Sequence, residues 1–246
     1  MSDRMTPTEP GMPGREPLLD WQPPPEGGGP RRLWPLVAVL VFVLATVAGA
    51  VVLQVGGAGR TAPEPVGTAA VRPPIPPGRT LYLAPLDGTP TDRVDRLAAY
   101  LARRYGIDAR TLPATATPGY AWDEARGQLI AEAVLQSLPN AYPDRAVDRG
   151  AVVIAITDRH LYIQGRPDWA WAFGLRSDDL RWAVVSTFAM ELGEPDPARV
   201  ETRLRRMVGK NVGLMYFGLE ASDDPRSLVY RSIVSVGDLD AMGDEF

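Results

Sequence analysis

The apolar positions of this chain fall into two unlike patterns. Across 33–55 they form one run rich in Leu, Val, Ala and Phe that carries no charge. From Arg79 onward, short apolar runs alternate with segments in which apolar residues recur every three or four positions. The first pattern has no polar face to offer water. About 20 such residues cross the hydrocarbon core of a bilayer, so 33–55 is predicted to be a single transmembrane helix. The second pattern predicts an α/β domain over 79–246.

Within that domain, 80–86 reads as a buried strand. A helix is predicted over 91–104, with Val94, Leu97, Ala98 and Leu101 on one face. Thr91 is its expected N-cap and Gly106 its stop. A short strand over 108–112 follows, then an amphipathic helix over 123–138. The run 151–157 is apolar throughout and is the expected central strand. Edge pieces are expected at 161–164 and 170–174, and another strand at 180–188. The longest helix is predicted over 197–217, with Val200, Leu204, Val208, Met215 and Leu219 along one stripe.

Flanking residues set the direction of the membrane helix. Arg31 and Arg32 precede it, and Trp34 lies at interfacial depth. The positive-inside rule places 1–32 in the cytoplasm and 79–246 outside. Residues 1–32 are rich in Pro, Gly, Asp and Glu, and they are expected to be a disordered tail. Residues 56–78, rich in Pro and Gly, are expected to be a semi-rigid linker. A cleaved signal peptide ending at Ala48-Gly49-Ala50 is the competing reading, but the apolar run is long and the segment before it extended. The expected location is therefore the cell membrane, single-pass, with the bilayer as a partner through 33–55.

Composition removes several chemistries. The chain has no Cys and one His, which excludes disulfides, thiol catalysis and a three-histidine metal site. A net charge of −4 gives no reason to expect a nucleic-acid partner. Nearly all basic residues are Arg, which suits a GC-rich bacterial coding bias. Lys210, the single lysine, reads as a helix-surface charge. There is no phosphate-binding glycine loop and no Gly-x-Ser-x-Gly elbow.

One stretch has the frame of a known site. Residues 211–222 read Asn-Val-Gly-Leu-Met-Tyr-Phe-Gly-Leu-Glu-Ala-Ser, and Asp223-Asp224-Pro225-Arg226 and Ser227-Leu228-Val229 follow. The spacing resembles that of the archaemetzincin branch of the metzincin zinc peptidases. Their pattern is His-Glu-x-x-His-x-x-Gly-x-x-His-Cys-x-x-x-x-Cys-x-Met. The resemblance puts Asn211, Met215 and Ala221 at the metal histidines and Val212 at the general-base glutamate. Ser222 and Ser227 fall at the cysteines, Val229 falls at the methionine, and Gly218 alone is kept. Other stretches are similar to that family in the same order. They are 80–86, Arg126-Gly127-Gln128, 152–158 with Leu161-Tyr162, Trp171-Ala172-Phe173-Gly174, and Val184-Val185-Ser186. The resemblance implies a metzincin-like mixed sheet with flanking helices, and the residues deny its chemistry.

An amide, a thioether and a methyl group cannot stand in for three imidazoles, and Val212 has no proton to move. No catalytic residue and no cofactor is therefore expected, and the chain leans away from being an enzyme. Other metal candidates are His160 with Asp158, or the Asp223/Asp224 loop. Trp169 and Trp171 on an edge strand would offer a partner surface. The expected role is binding a peptide or envelope protein along the inherited substrate edge. The alternatives are a hydrolase with a relocated site and a structural part of an envelope complex.

Overall fold

The computed structural model describes residues 73–246. The expected tail and membrane helix, with the expected linker up to residue 72, lie outside these residues. Among the described residues no helix is long and apolar enough to cross a membrane.

The strands are β1 (Thr80–Pro85), β2 (Ala109–Thr111), β3 (Trp122–Asp123), β4 (Gln128–Ile130), β5 (Ala151–Thr157), β6 (Leu161–Tyr162), β7 (Gly174–Arg176) and β8 (Trp182–Ser186). The helices are α1 (Thr91–Tyr105), α2 (Ala131–Ala141), α3 (Pro143–Val147), α4 (Phe188–Glu191), α5 (Pro197–Asn211) and α6 (Val236–Ala241). The main sheet has the order β2-β1-β5-β8-β7, parallel except for β7, which pairs antiparallel with β8. A small second sheet has the order β3-β4-β6.

The two-residue period of a strand sorts the central side chains onto two faces. Leu81, Leu83, Val152, Ile154, Ile156, Ala183 and Val185 pack with α1 and α5. Tyr82, Ala84, Val153, Ala155, Trp182 and Val184 pack with α2 and the small sheet. Every residue of β5 is buried, as its unbroken apolar run predicts for a strand covered on both faces.

Several expected boundaries move. The helix expected over 123–138 is instead a β3–β4 hairpin followed by α2, so Arg126-Gly127-Gln128 is a turn entering a strand. Gly127 adopts φ +64, and the Asp123 carboxylate accepts from the amides of Ala125 and Arg126. That local bonding closes a turn where helical spacing alone suggests continuation. Thr91 is the first residue of α1, behind Pro90, and does not cap it. Gly106 ends α1 at φ 71, as expected. The segment before Gly174 is irregular, and the edge strand starts where that piece was expected to end. Leu180 sits at φ 54 in a turn, which delays β8 to Trp182.

α5 starts as its sequence indicates, with Pro197 at its first turn and Asp196 accepting from the Ala198 amide at 2.9 Å. It becomes a π turn at Val212–Tyr216, where the expected long helix would have continued unchanged. Arg203, 4 % exposed, holds its middle by donating to Asp240 at 2.8 and 2.7 Å and pairing with Glu194 at 3.0 Å. The first of these contacts holds the Asp240 carboxyl below its usual range. α6 has a capping box between Ser235 and Asp238. The Arg203 contacts fix α6 and the Glu194 turn against the middle of α5.

Candidate functional site

The motif begins on the last turn of α5. Asn211 is 1 % exposed. Its Nδ2 donates to the Met207 carbonyl at 3.0 Å, and its Oδ1 accepts from Arg176 Nη1 at 3.3 Å. Both ends of the amide are therefore engaged, one with its own helix and one with β7. Val212 is fully buried and Met215 is 1 % exposed, both in the core shared with α1 and the sheet. Ala221 is half-buried in the loop beyond.

Gly218 adopts φ +70, and the Leu219 amide behind it donates to the Gly213 carbonyl at 3.0 Å. The one motif residue that is kept is thus the one the backbone needs, because other side chains resist this left-handed turn. Ser222 and Ser227 act locally. Ser222 Oγ accepts from the Asp224 amide at 3.1 Å, and Ser227 Oγ from the Val229 amide at 3.3 Å. Val229 is buried and packs on Gly213, where a Cβ would lie 2.5 Å from its Cγ1. Phe246 closes the same spot, with its ring centroid 4.9 Å from Tyr105 and 5.4 Å from Phe217. The segment after the motif covers the helix face.

The helical part of the motif is tied at its end to the start of the domain. Arg79 Nη1 donates to the carbonyls of Met215 and Tyr216 at 2.6 and 2.7 Å. The Tyr216 hydroxyl donates back to the Arg79 carbonyl at 3.1 Å. A cation is favoured at such a helix end, where carbonyls lack amide partners. Burial pushes the Tyr216 phenol above its ordinary range. Lys210 is 5 % exposed and donates to the Arg231 carbonyl at 2.9 Å. This corrects the expectation of a surface charge: its turn faces the covering segment.

The metal implied by the frame does not fit these residues. Zinc takes thiolate, imidazole or carboxylate donors. Here the three positions hold an amide bonded at both ends, a thioether set in the core and a methyl group with no lone pair to give. The secondary candidates do not converge either. Among the described residues no group of three or more His, Cys, Asp or Glu could hold a metal ion. Asp158 is exposed. His160 stacks on Phe188 at 4.4 Å, and Gln128 Nε2 lies 3.0 and 3.1 Å from its two ring nitrogens. In the loop, Asp223 pairs with Arg231 at 3.1 Å and Asp224 accepts from the Arg226 amide.

Burial lowers the pKa of His160 from 6.5. The folded state thus favours neutral imidazole, and the unfolded chain takes up a proton first as pH falls. Stability present above about pH 6.5 is expected to decline below it and level off below the folded value. His160→Leu should flatten that decline between about pH 7.5 and about pH 5.5, measured by denaturant midpoints. An equal decline in the variant would rule His160 out as its source.

Trp169 and Trp171 lie before β7 in irregular chain, which corrects the expected edge strand. Both are half-buried and they pack toward opposite cores, Trp169 with the α2 side and Trp171 with the α1 side. The edge position belongs to β7 itself. Its residue Arg176 and the capping residue Arg79 were not foreseen, because each reaches the motif across a long sequence separation.

Three solved structures are similar to this chain. The archaemetzincin from Archaeoglobus fulgidus, complexed with malonate, has 22% identity and a TM-score of 0.56, covering 68% of this chain and 94% of its own. The archaemetzincin from Methanopyrus kandleri has 24% identity and a TM-score of 0.54, covering 70% and 91%. A zinc-dependent peptidase from Methanocorpusculum labreanum has 19% identity and a TM-score of 0.57, covering 68% and 95%. No protein-family model and no curated protein matches the chain. The domain has an archaemetzincin-like fold.

Proposed function

We propose that this chain is a membrane-anchored, catalytically inactive archaemetzincin-like domain that holds an extended peptide or an envelope protein along β7. One observation carries the reading. Asn211, at the place of a metal ligand, is bonded at both ends, and one of those bonds runs to the antiparallel edge strand. Among the described residues no strand pairs with the outer side of β7. An extended chain can add to such an edge through backbone hydrogen bonds, which needs no metal. The short length of β7 and the Arg at its end suit an edge kept from indiscriminate pairing.

The anchor rests on the uncharged apolar run at 33–55 and on Arg31 and Arg32 before it. The protein is expected to stay in the membrane pellet after alkaline carbonate washing. A soluble mature form starting near Val51 would contradict the anchor.

Binding is tested by crosslinking intact cells and recovering the tagged full chain. Peptides or envelope proteins should crosslink near β7, and Gly174→Ala should reduce their yield. A Cβ at Gly174 would lie 2.3 Å from the Val184 carbonyl oxygen, so this change displaces the edge strand. Unchanged crosslinking in that variant would place any partner elsewhere.

A further inference from the structure

We propose that the outer edge of β2 pairs with the same edge of a second copy of this chain, antiparallel and centred on Ala109. β2 and β7 are the opposite edges of the main sheet, so this contact lies across the sheet from the peptide edge proposed above and does not depend on it. Among the described residues no strand pairs with the outer side of β2.

The backbone sets which residues this edge offers. The Leu81 amide donates to the Asp108 carbonyl at 2.9 Å, and the Leu112 amide donates to the Leu83 carbonyl at 2.8 Å. The even-numbered positions therefore turn their backbone groups toward β1. Ala109 and Thr111, with Ile107 before them, alternate with these and turn their amides and carbonyls outward. The usable edge is short. Gly106 redirects the chain before it, at φ 71. Pro113 closes it, with no amide to donate and with its carbonyl accepting from the Tyr142 hydroxyl at 2.9 Å. What remains is 107–111, and its midpoint is Ala109.

Charge fixes the register. Asp108 and Arg110 flank Ala109 on one face of the strand, with side chains 46 % and 61 % exposed. Arg110 donates to the Asp108 carboxylate from Nε at 3.0 Å and from Nη2 at 2.6 Å. Among the described residues, the ion pair that each makes is with the other. In a twofold antiparallel pair centred on Ala109, Asp108 of each copy stands opposite Arg110 of the other. Sliding the pair by two residues one way sets Asp108 against Asp108, and the other way sets Arg110 against Arg110. Like charges directly opposite are destabilising, so both slips are disfavoured. An edge charged in this way resists indiscriminate pairing and fits its own copy. The sheet then runs through both copies and leaves β7 open at each outer end.

The experiment crosslinks the full chain in intact expressing cells with a short bismaleimide. The chain has no Cys, so only introduced sites react. Ala109→Cys should give a band at twice the chain's mass that contains two copies. Val147→Cys, at a position 81 % exposed and away from this edge, should give far less. Adding Asp108→Arg or Arg110→Asp to Ala109→Cys should each lower the band about tenfold. Coexpressing those two variants under different tags should restore it as a mixed band, because every charge then faces its opposite. That rescue also shows that both variants fold. Equal bands from Ala109→Cys and Val147→Cys would overturn the proposal, as would a band holding one copy and another protein. Charge reversals that leave the band unchanged, or a coexpressed pair that fails to recover it, would overturn it too.

Discussion

Truncating Met215 to alanine is expected to lower the unfolding free energy by about 2–5 kcal/mol, the range for a buried Met or Leu cut back to a methyl group. Met215 is 1 % exposed and lies in the core built by α1, α5 and one face of the main sheet. Its thioether fills space, and removing it leaves a cavity that a helix tied down at Arg79 and Asn211 cannot easily close. Met215→Leu keeps the volume and should cost less than about 1.5 kcal/mol. Denaturant unfolding of the full chain in mild detergent checks both changes. Equal stability of Met215→Ala and the unmodified chain would remove Met215 from the core, and with it the packing role assigned to this position.

The second large effect is expected at Gly213. A Cβ there would lie 2.5 Å from Val229 Cγ1 and 2.8 Å from Phe246 Cε1. Val229 is buried, and Phe246 is wedged against Tyr105 and Phe217. Overpacking of this kind typically costs about 1–3 kcal/mol, and Gly213→Val is expected at the upper end because two rigid neighbours must move together. Phe246→Ala should recover part of that loss in the Gly213→Val background, since one of the two obstacles is gone. Additive losses in the double variant would mean that Phe246 does not close the motif face.

The parts of the fold legible in the sequence are those where one force dominates. β5 is apolar from Ala151 to Ile156 and lies at the centre of the sheet, buried on both faces. The α1 stripe Val94, Leu97, Ala98 and Leu101 is buried as its spacing indicates, and Gly106 ends the helix in the conformation that glycine permits. Boundaries failed where local hydrogen bonding competes with apolar spacing. The Asp123 turn and Gly127 break a pattern that reads as helix through Leu129 and Ile130. The π turn at Val212–Tyr216 is equally hidden, because its apolar residues continue the spacing of the helix before it.

At the site, the lack of zinc donors was readable one by one, since Asn211, Val212, Met215 and Ala221 declare their chemistry by identity. What replaces the ligands was not readable. The Arg176 bond to Asn211 joins residues 35 apart in sequence, and Arg79 reaches Met215 across 136. Lys210 looked like a surface charge, because the segment that buries its turn comes later in the chain and has no periodic signature.

The reading that the motif positions serve packing and hydrogen bonding leaves no place for a divalent ion. It is tested most directly by the zinc content of the purified full chain. The protein would be exposed to excess zinc, dialysed, and measured by mass spectrometry beside Met215→Ala and an Asn211→Ala variant. None of the three should retain zinc in proportion to protein. One tightly held zinc per chain in the unmodified protein, lost in both variants, would contradict it.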